Sequence, residues 1–127
     1  TRTARIADLH LRPRPGTDAA VALGVARLLF ERGLADTDFL AAHATGVDEF
    51  RTAAAVWTPE RVAQVSGVAA ADLDAFARAW AAASPAVLRC GWGLERNRNG
   101  VDSVRAALAL PAVAGKFGVR GGGFTMS

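Results

Sequence analysis

The sequence predicts a helix-rich α/β fold, in which a cluster of helices is inserted between short strands of a parallel sheet. Apolar residues recur at helical spacing through the middle of the chain, short apolar runs bounded by proline and glycine lie towards its two ends, and a glycine loop joins the second run to a helix. With 127 residues, 51% of them hydrophobic, the chain can build one core but not two large domains. We therefore interpret residues 1–127 as a single domain or a domain fragment.

The N-terminal part begins with a predicted strand over residues 7–11, where apolar and polar residues alternate weakly. Residues 12–16 contain two prolines and a glycine, which predict a rigid turn. Over residues 18–32 apolar side chains cover most of a helical surface, so we expect a buried helix. Thr17 is its candidate N-cap, and Gly33 can take the left-handed conformation that ends it.

The middle of the chain is predicted to be a helical cluster. Short helices are expected around residues 38–43 and 48–56. The run Thr58-Pro59-Glu60 is a start signal for a helix that ends at Gly67, and an amphipathic helix is expected over residues 70–83.

The C-terminal part changes character after Pro85. Residues 86–90 form a short apolar run that is typical of a buried strand. Glycine and polar residues then lead into a helix that Pro111 is expected to kink or end, with an apolar face formed by Val101, Val104 and Leu108. The glycine-rich residues 115–123 are expected to be flexible and to have no secondary structure.

Charge is unevenly distributed along the chain. The net charge is +3, composed of +3 in residues 1–17, −4 in residues 18–83 and +4 in residues 84–127. Two basic ends around an acidic middle indicate either that the ends meet at an anion or that they form a solvated basic face.

Several classes of protein are excluded or left open by composition. Apolar stretches are interrupted before they reach the roughly 18 to 20 residues of a membrane-spanning helix, so we expect no span. The single cysteine, Cys90, cannot form an internal disulfide or a cysteine-built metal site. It leaves the compartment open, with the cytoplasm favoured over the periplasm. A start at Thr1 favours a piece of a longer polypeptide over a processed terminus.

Residues 86–110 have the order strand, glycine loop, helix, which can bind phosphate because glycines let backbone N–H groups approach an anion. Nearby arginines add positive charge. The spacing is G-x-G-x-x-R rather than that of a dinucleotide fingerprint, so an ordinary tight turn at Gly91 and Gly93 is the alternative.

The segment Pro15-Gly16-Thr17-Asp18 also has two interpretations. It is either a plain turn with a helix cap, or a loop whose Asp18 carboxylate offers two acceptors to the two adjacent donors on the edge of guanine. His10 and His43 have no partners at ligand spacing, so we assign no metal. Cys90 is interpreted as a buried core thiol, and no catalytic residue is assigned.

Taken together, the motifs of the chain resemble those of molybdopterin oxidoreductases of the dimethyl sulfoxide reductase and formate dehydrogenase superfamily. Their order and spacing carry the resemblance, which runs through nearly the whole chain. The motifs are Thr1-Arg2-Thr3-Ala4, L-R-P-R-P-G-T-D at 11–18, T-P-E-R-V-A-Q-V-S-G-V at 58–68, R-C-G-W-G-L-E-R-N-R-N-G at 89–100 and A-L-P-A-V-A-G-K-F-G-V-R-G-G-G at 109–123.

The resemblance implies a segment of the nucleotide-binding domain of a longer enzyme that carries molybdenum bis(molybdopterin guanine dinucleotide). It implies that any iron–sulfur cluster is bound outside this segment, and that the isolated segment is not catalytic. The implied cofactor contacts are Gly16, Thr17 and Asp18 at a guanosine, Gly91, Trp92, Gly93, Arg96, Asn99 and Gly100 at the dinucleotide, and Gly122 and Gly123 towards the pterin and metal.

Two other functions are considered. A small basic helical nucleic-acid-binding domain is suggested by the pI near 10.4, but the low net charge and the apolar or acidic helix faces oppose it. The second alternative is a structural helical module without a ligand. The expected partners are the rest of the same polypeptide, the cofactor and a small-molecule substrate. Self-association is also expected, because a domain fragment exposes apolar surface.

Overall fold

The computed structural model describes residues 1–126, which form seven helices and two short strands. In chain order these elements are α1 (Arg2–Ile6), α2 (Asp18–Glu31), α3 (Thr37–His43), α4 (Val47–Ala55), α5 (Pro59–Ser66), α6 (Ala70–Ala82), β1 (Val87–Cys90), α7 (Gly100–Val113) and β2 (Gly123–Met126).

Helix α2 is the centre of the core, because apolar or small residues cover nearly all of its surface. It contacts α4, α5, α6 and α7, and Val25, Ala26 and Leu29 are completely buried. Gly24 permits a close approach on one side, since a Cβ there would lie 2.6 Å from Cγ2 of Val62. The prediction that this helix is buried is confirmed.

The remaining helices of the cluster follow their local signals. Helices α3 to α6 begin and end within one residue of the bounds that the sequence predicts. Thr58 caps α5 by accepting a hydrogen bond from the backbone N–H of Arg61 at 3.2 Å. Gly33 and Gly67 have φ angles of +65° and +79°, the left-handed conformation expected just after a helix.

The two strands pair in parallel, with α7 as the crossover between them. The register runs from Val87 opposite Gly123 to Cys90 opposite Met126. The prediction of a parallel sheet is therefore confirmed in this small form. The prediction that residues 115–123 have no secondary structure is wrong at their end, because Gly123 begins β2 and its N–H donates to the carbonyl of Ala86 at 3.0 Å.

The strand predicted over residues 7–11 does not form, and this prediction is wrong. Helix α1 occupies the preceding residues, with Thr1 as its cap, and residues 7–14 have no regular structure. Within residues 1–126, β1 and β2 pair only with each other, so this weakly alternating segment has no neighbouring strand to supply hydrogen bonds. The helical cluster consequently precedes both strands instead of lying between them.

Three expectations about the C-terminal elements also need correction. Strand β1 is buried only at Cys90, and Val87 is 54% exposed, because Leu88 and Cys90 face the helices while Val87 and Arg89 alternate to the uncovered face of the sheet. Pro111 does not end α7, which continues to Val113. The predicted apolar face of α7 faces outwards, with Val101 73% exposed, and small residues such as Ala106 form the buried face. Self-association through this surface stays a prediction.

None of the helices in residues 1–126 is both long and apolar enough to cross a lipid bilayer.

The central position of α2 predicts the cost of removing its side chains. Leu29→Ala should lower the free energy of unfolding by about 2–5 kcal/mol, because it leaves a cavity in the core. The matched control is Leu9→Ala at an exposed position, which should cost less than about 1 kcal/mol. Urea unfolding of the two variants compares these values, and equal costs would contradict the placement of α2.

Candidate functional site

The candidate site lies where two loops meet: loop 1, residues 12–17, and loop 2, residues 91–99. The side-chain Nδ2 of Asn99 donates a hydrogen bond of 2.9 Å to the carbonyl of Gly16, 83 positions away in the chain. Asn97 is also close, since a Cβ on Gly16 would lie 3.6 Å from its Oδ1. The structure therefore brings together the two glycine-containing bends that the sequence singles out.

Each loop ends at the N-terminus of a helix. In both cases the side chain at the N-cap position forms its hydrogen bond outside that helix. Thr17 is the N-cap residue of α2 by position, but its Oγ1 donates to the carbonyl of Arg14 at 2.6 Å and accepts nothing from the helix. Asn99 is the N-cap of α7, and it likewise makes no side-chain cap. First-turn N–H groups without such a cap favour an anion. Thr17 therefore occupies the predicted N-cap position of α2, but its side chain does not form the predicted hydrogen bond to the helix.

Asp18, the first residue of α2, lines a cleft of about 230 Å³. The residue is half-buried, and Cys90, Gly91 and Leu94 line the same cleft from the end of β1 and from loop 2. The other walls are mostly apolar side chains from the segment before α2 and from α2, α6, β1 and α7, and Arg89 is the second charged residue of the lining. Apolar walls with one carboxylate that offers two acceptors suit a flat heteroaromatic ring with donors on its edge.

Cys90 has the environment of an unreactive thiol. Burial raises its pKa, and the nearby carboxylates of Asp18 and Glu95 raise the pKa further. The thiol is only 4% exposed and stays protonated at neutral pH, so it is a poor nucleophile and a poor metal ligand. The interpretation of Cys90 as a buried core thiol is confirmed.

The glycines predicted to contact a ligand in loop 2 and at the start of α7 differ in whether packing within the chain requires them. A Cβ on Gly91 or Gly93 would meet nothing within 4 Å among the described residues, so packing does not require glycine at either position. A Cβ on Gly100 would lie 2.7 Å from the carbonyl oxygen of Glu95, so here the chain itself requires glycine. Trp92 and Arg96 lie on the surface of loop 2, with Trp92 65% exposed.

Gly122 and Gly123 do not lie where loop 1 and loop 2 meet. They lie beside Ala86 at the start of β1, whereas loop 2 follows the end of the same strand. A Cβ on Gly122 would lie 2.5 Å from the carbonyl oxygen of Lys116, and Gly123 has a φ of +113°. Contacts within the chain account for both glycines, and their contact with a cofactor stays a prediction.

Arg14 and Asn97 are not among the predicted site residues, but both shape the site. Nη1 of Arg14 donates to the carbonyl of Gln64 at 2.8 Å, and Nδ2 of Asn97 donates to the carbonyl of Gly93 at 3.3 Å. Arg14 is separated from its partner by 50 positions, so no local motif could reveal that contact. Residues 1–126 contain no group of three or more His, Cys, Asp and Glu side chains placed to hold a metal ion.

No protein-family model matches the chain, but individual proteins do. The chain is 36% identical over 122 residues to the probable oxidoreductase YoaE of Bacillus subtilis. The matched region covers 96% of this chain and 18% of YoaE. The chain is 33% identical over 116 residues to formate dehydrogenase H of Escherichia coli, covering 91% of this chain and 16% of that protein.

A solved structure is also similar. Acetylene hydratase from Pelobacter acetylenicus superimposes with a TM-score of 0.90 at 28% identity, over 94% of this chain and 16% of that one. The chain thus spans less than a fifth of the length of these relatives.

The contact between the loops can be tested by hydrogen exchange. Asn99→Ala removes a bond worth about 1 kcal/mol, so the amides of residues 14–18 should exchange about fivefold faster. The matched control is Val101→Ala, because this side chain is 73% exposed on the first turn of α7. That variant should leave exchange in loop 1 unchanged, and equal acceleration in both variants would show that Asn99 has no special role.

The influence of Asp18 on Cys90 predicts a pH effect. In the folded protein the thiol holds its proton more tightly than in the unfolded chain, so its contribution to stability is lost as the pH rises through its raised pKa. Asp18→Asn removes one negative charge and should lower the pKa of Cys90. The pH profile of iodoacetamide labelling should therefore move to lower pH, while Asp72→Asn on α6 should not move it.

Proposed function

Because the chain belongs to the molybdopterin oxidoreductases, as a segment of these larger enzymes, we propose that it binds and orients the guanine dinucleotide arm of their molybdenum cofactor. The cofactor would be molybdenum bis(molybdopterin guanine dinucleotide), and when bound it supplies two-electron or oxygen-atom transfer. This segment supplies placement and electrostatics and no catalytic group.

The hydrogen bond from Asn99 to Gly16 is the observation that carries the proposal. It joins the two loops on either side of the cleft that Asp18 lines. A nucleotide fits this arrangement, because its base can reach the carboxylate of Asp18 while its anionic groups face the uncapped helix N-termini. The residues present therefore suit a purine dinucleotide.

Asp18 would recognise the guanine. Its ionised carboxylate offers two acceptors side by side, which match the two adjacent N–H donors on the Watson–Crick edge of guanine. Adenine presents a donor next to an acceptor at the same edge and would leave one carboxylate oxygen facing an acceptor. Hydrogen bonds to charged groups contribute about 1.5–3 kcal/mol each, so this contact can discriminate strongly between the two bases.

Loop 2 and the two helix N-termini would hold the remainder of the dinucleotide. The N-terminal amides of α2 and α7 have no side-chain caps, and the exposed guanidinium of Arg96 provides paired donors for phosphate. Gly91 and Gly93 leave the backbone open to a ligand, and Trp92 offers an exposed aromatic face.

The other parts of the enzyme would be supplied by residues outside this segment. An iron–sulfur cluster, where the enzyme has one, would be bound by other residues, because Cys90 is the one cysteine of this chain. The similarity to oxidoreductases favours this function over a nucleic-acid-binding domain and over a module without a ligand. Gly122 and Gly123 would act by starting β2, which runs towards the edge of the sheet where loop 2 begins.

The proposed role of Asp18 predicts a loss of cofactor. Asp18→Asn keeps one acceptor but removes the charge and the second acceptor, so binding of the guanine dinucleotide should weaken about tenfold or more. The measurement is molybdenum and guanine dinucleotide content, by mass spectrometry, of the natively purified protein at its full natural length. The matched control is Asp72→Asn, an exposed carboxylate on α6.

Two outcomes would oppose the proposal in different ways. Absence of both molybdenum and guanine dinucleotide from the unaltered protein would reject the function. Full occupancy in Asp18→Asn would leave the function in place and reject the role of Asp18.

A further inference from the structure

Arg14 connects loop 1 to the C-terminal end of α5. Its backbone N–H donates to the carbonyl of Ser66 at 2.8 Å. Its Nη1 donates to the carbonyls of Gln64 at 2.8 Å and Val65 at 3.1 Å. Three consecutive carbonyls at the end of one helix therefore bind a single residue of the loop.

The C-terminal end of α5 is well suited to this contact. The last carbonyls of a helix have no partners within the helix, and the helix dipole places partial negative charge there, which favours a guanidinium. Gly67 follows with a φ of +79°, and a Cβ at this position would lie 3.7 Å from Cζ of Arg14. Glycine thus ends α5 and leaves room for the guanidinium beside it.

The carbonyl of Arg14 fixes the other side of the turn. It accepts hydrogen bonds from the backbone N–H of Thr17 at 3.1 Å and from its Oγ1 at 2.6 Å. Asp18 is the next residue along the chain. Arg14 therefore bonds to α5 through its donors and to the residue before Asp18 through its acceptor.

The anchor on α5 is itself firmly held. Ser66 is completely buried, and its Oγ donates to the carbonyl of Val62 at 2.7 Å and accepts from the N–H of Val68 at 3.1 Å. Val62 is also completely buried, close to Gly24 of α2. A loop attached at this point has a defined position relative to the core.

We propose that Arg14 is a positioning residue for guanine recognition, which holds loop 1 on α5 so that the carboxylate of Asp18 stays in the cleft. This inference rests on the proposed function. Arg14 need not touch the ligand for this role, because its Nη1 is bound to carbonyls of α5 and its own carbonyl is bound to Thr17.

The test compares binding of GMP and IMP, since inosine lacks the 2-amino donor of guanine. The full-length protein is prepared without its cofactor, and the ratio of the two dissociation constants is measured by calorimetry. Arg14→Met keeps the apolar stem but removes the donors, and it should reduce the preference for GMP at least threefold. Arg14→Lys keeps a cation at the end of α5 and should restore part of it. Arg12→Met, in the same loop, is the control and should leave the ratio unchanged.

The base preference separates positioning from general destabilisation, because a loss of stability lowers the affinity for both nucleotides alike. A lowered melting temperature with an unchanged ratio would therefore overturn the inference. If Arg14→Met does not fold, Arg14→Gln gives the same test, and an unchanged ratio in that variant overturns the inference as well.

Asp18→Asn distinguishes this inference from the proposed function. If Asp18→Asn abolishes the preference and Arg14→Met does not, the role of Arg14 is rejected and the proposed function stands. If the unaltered protein shows no preference for GMP, guanine recognition by Asp18 fails, and the inference fails with it.

Discussion

The hydrogen bond between the side chain of Asn99 and the carbonyl of Gly16 is the contact on which the candidate site depends. An asparagine at the start of a helix usually accepts a hydrogen bond from its own helix. Here it donates to a loop from the other end of the chain. Helices α2 and α7 pack against each other, so this bond places their N-termini side by side. The side-chain amide of Asn99 thus joins the two loops. The first backbone N–H groups of α7 are consequently left without a side-chain cap.

Local signals in the sequence predict the helices well and the strands poorly. Thr58 with Pro59, and the glycines after α2 and α5, act within one turn of the helix that they begin or end, so sequence is enough to locate them. A strand depends on a partner that is distant in the chain. Residues 7–11 have no such partner in the described structure, whereas Gly123 finds one at β1 in spite of its low strand propensity.

The same distinction explains how much of the site could be predicted. The sequence indicates that Gly16 and Asp18 form one bend and that Gly91 and Gly93 form another, but only the structure shows that they meet. The sequence also cannot distinguish a glycine that packing within the chain does not require from a glycine that it requires. Gly91 has open space where a side chain would lie, while Gly122 faces the carbonyl of Lys116. Only the first kind has no explanation within the chain, and it is therefore the stronger indication of a ligand.

Both ends of the chain bring positive charge to the candidate site. The two basic ends of the chain carry loop 1 and loop 2, and these loops meet, as expected if the ends share an anion. The charges do not contribute equally, however. The guanidinium of Arg14 is bound to the carbonyls of α5, and that helix end already offsets its charge. Arg96 and Arg98 are exposed on loop 2. Attraction of an anion would therefore come from loop 2 and from the N-termini of α2 and α7, while the arginine of loop 1 keeps the neighbouring carboxylate in place.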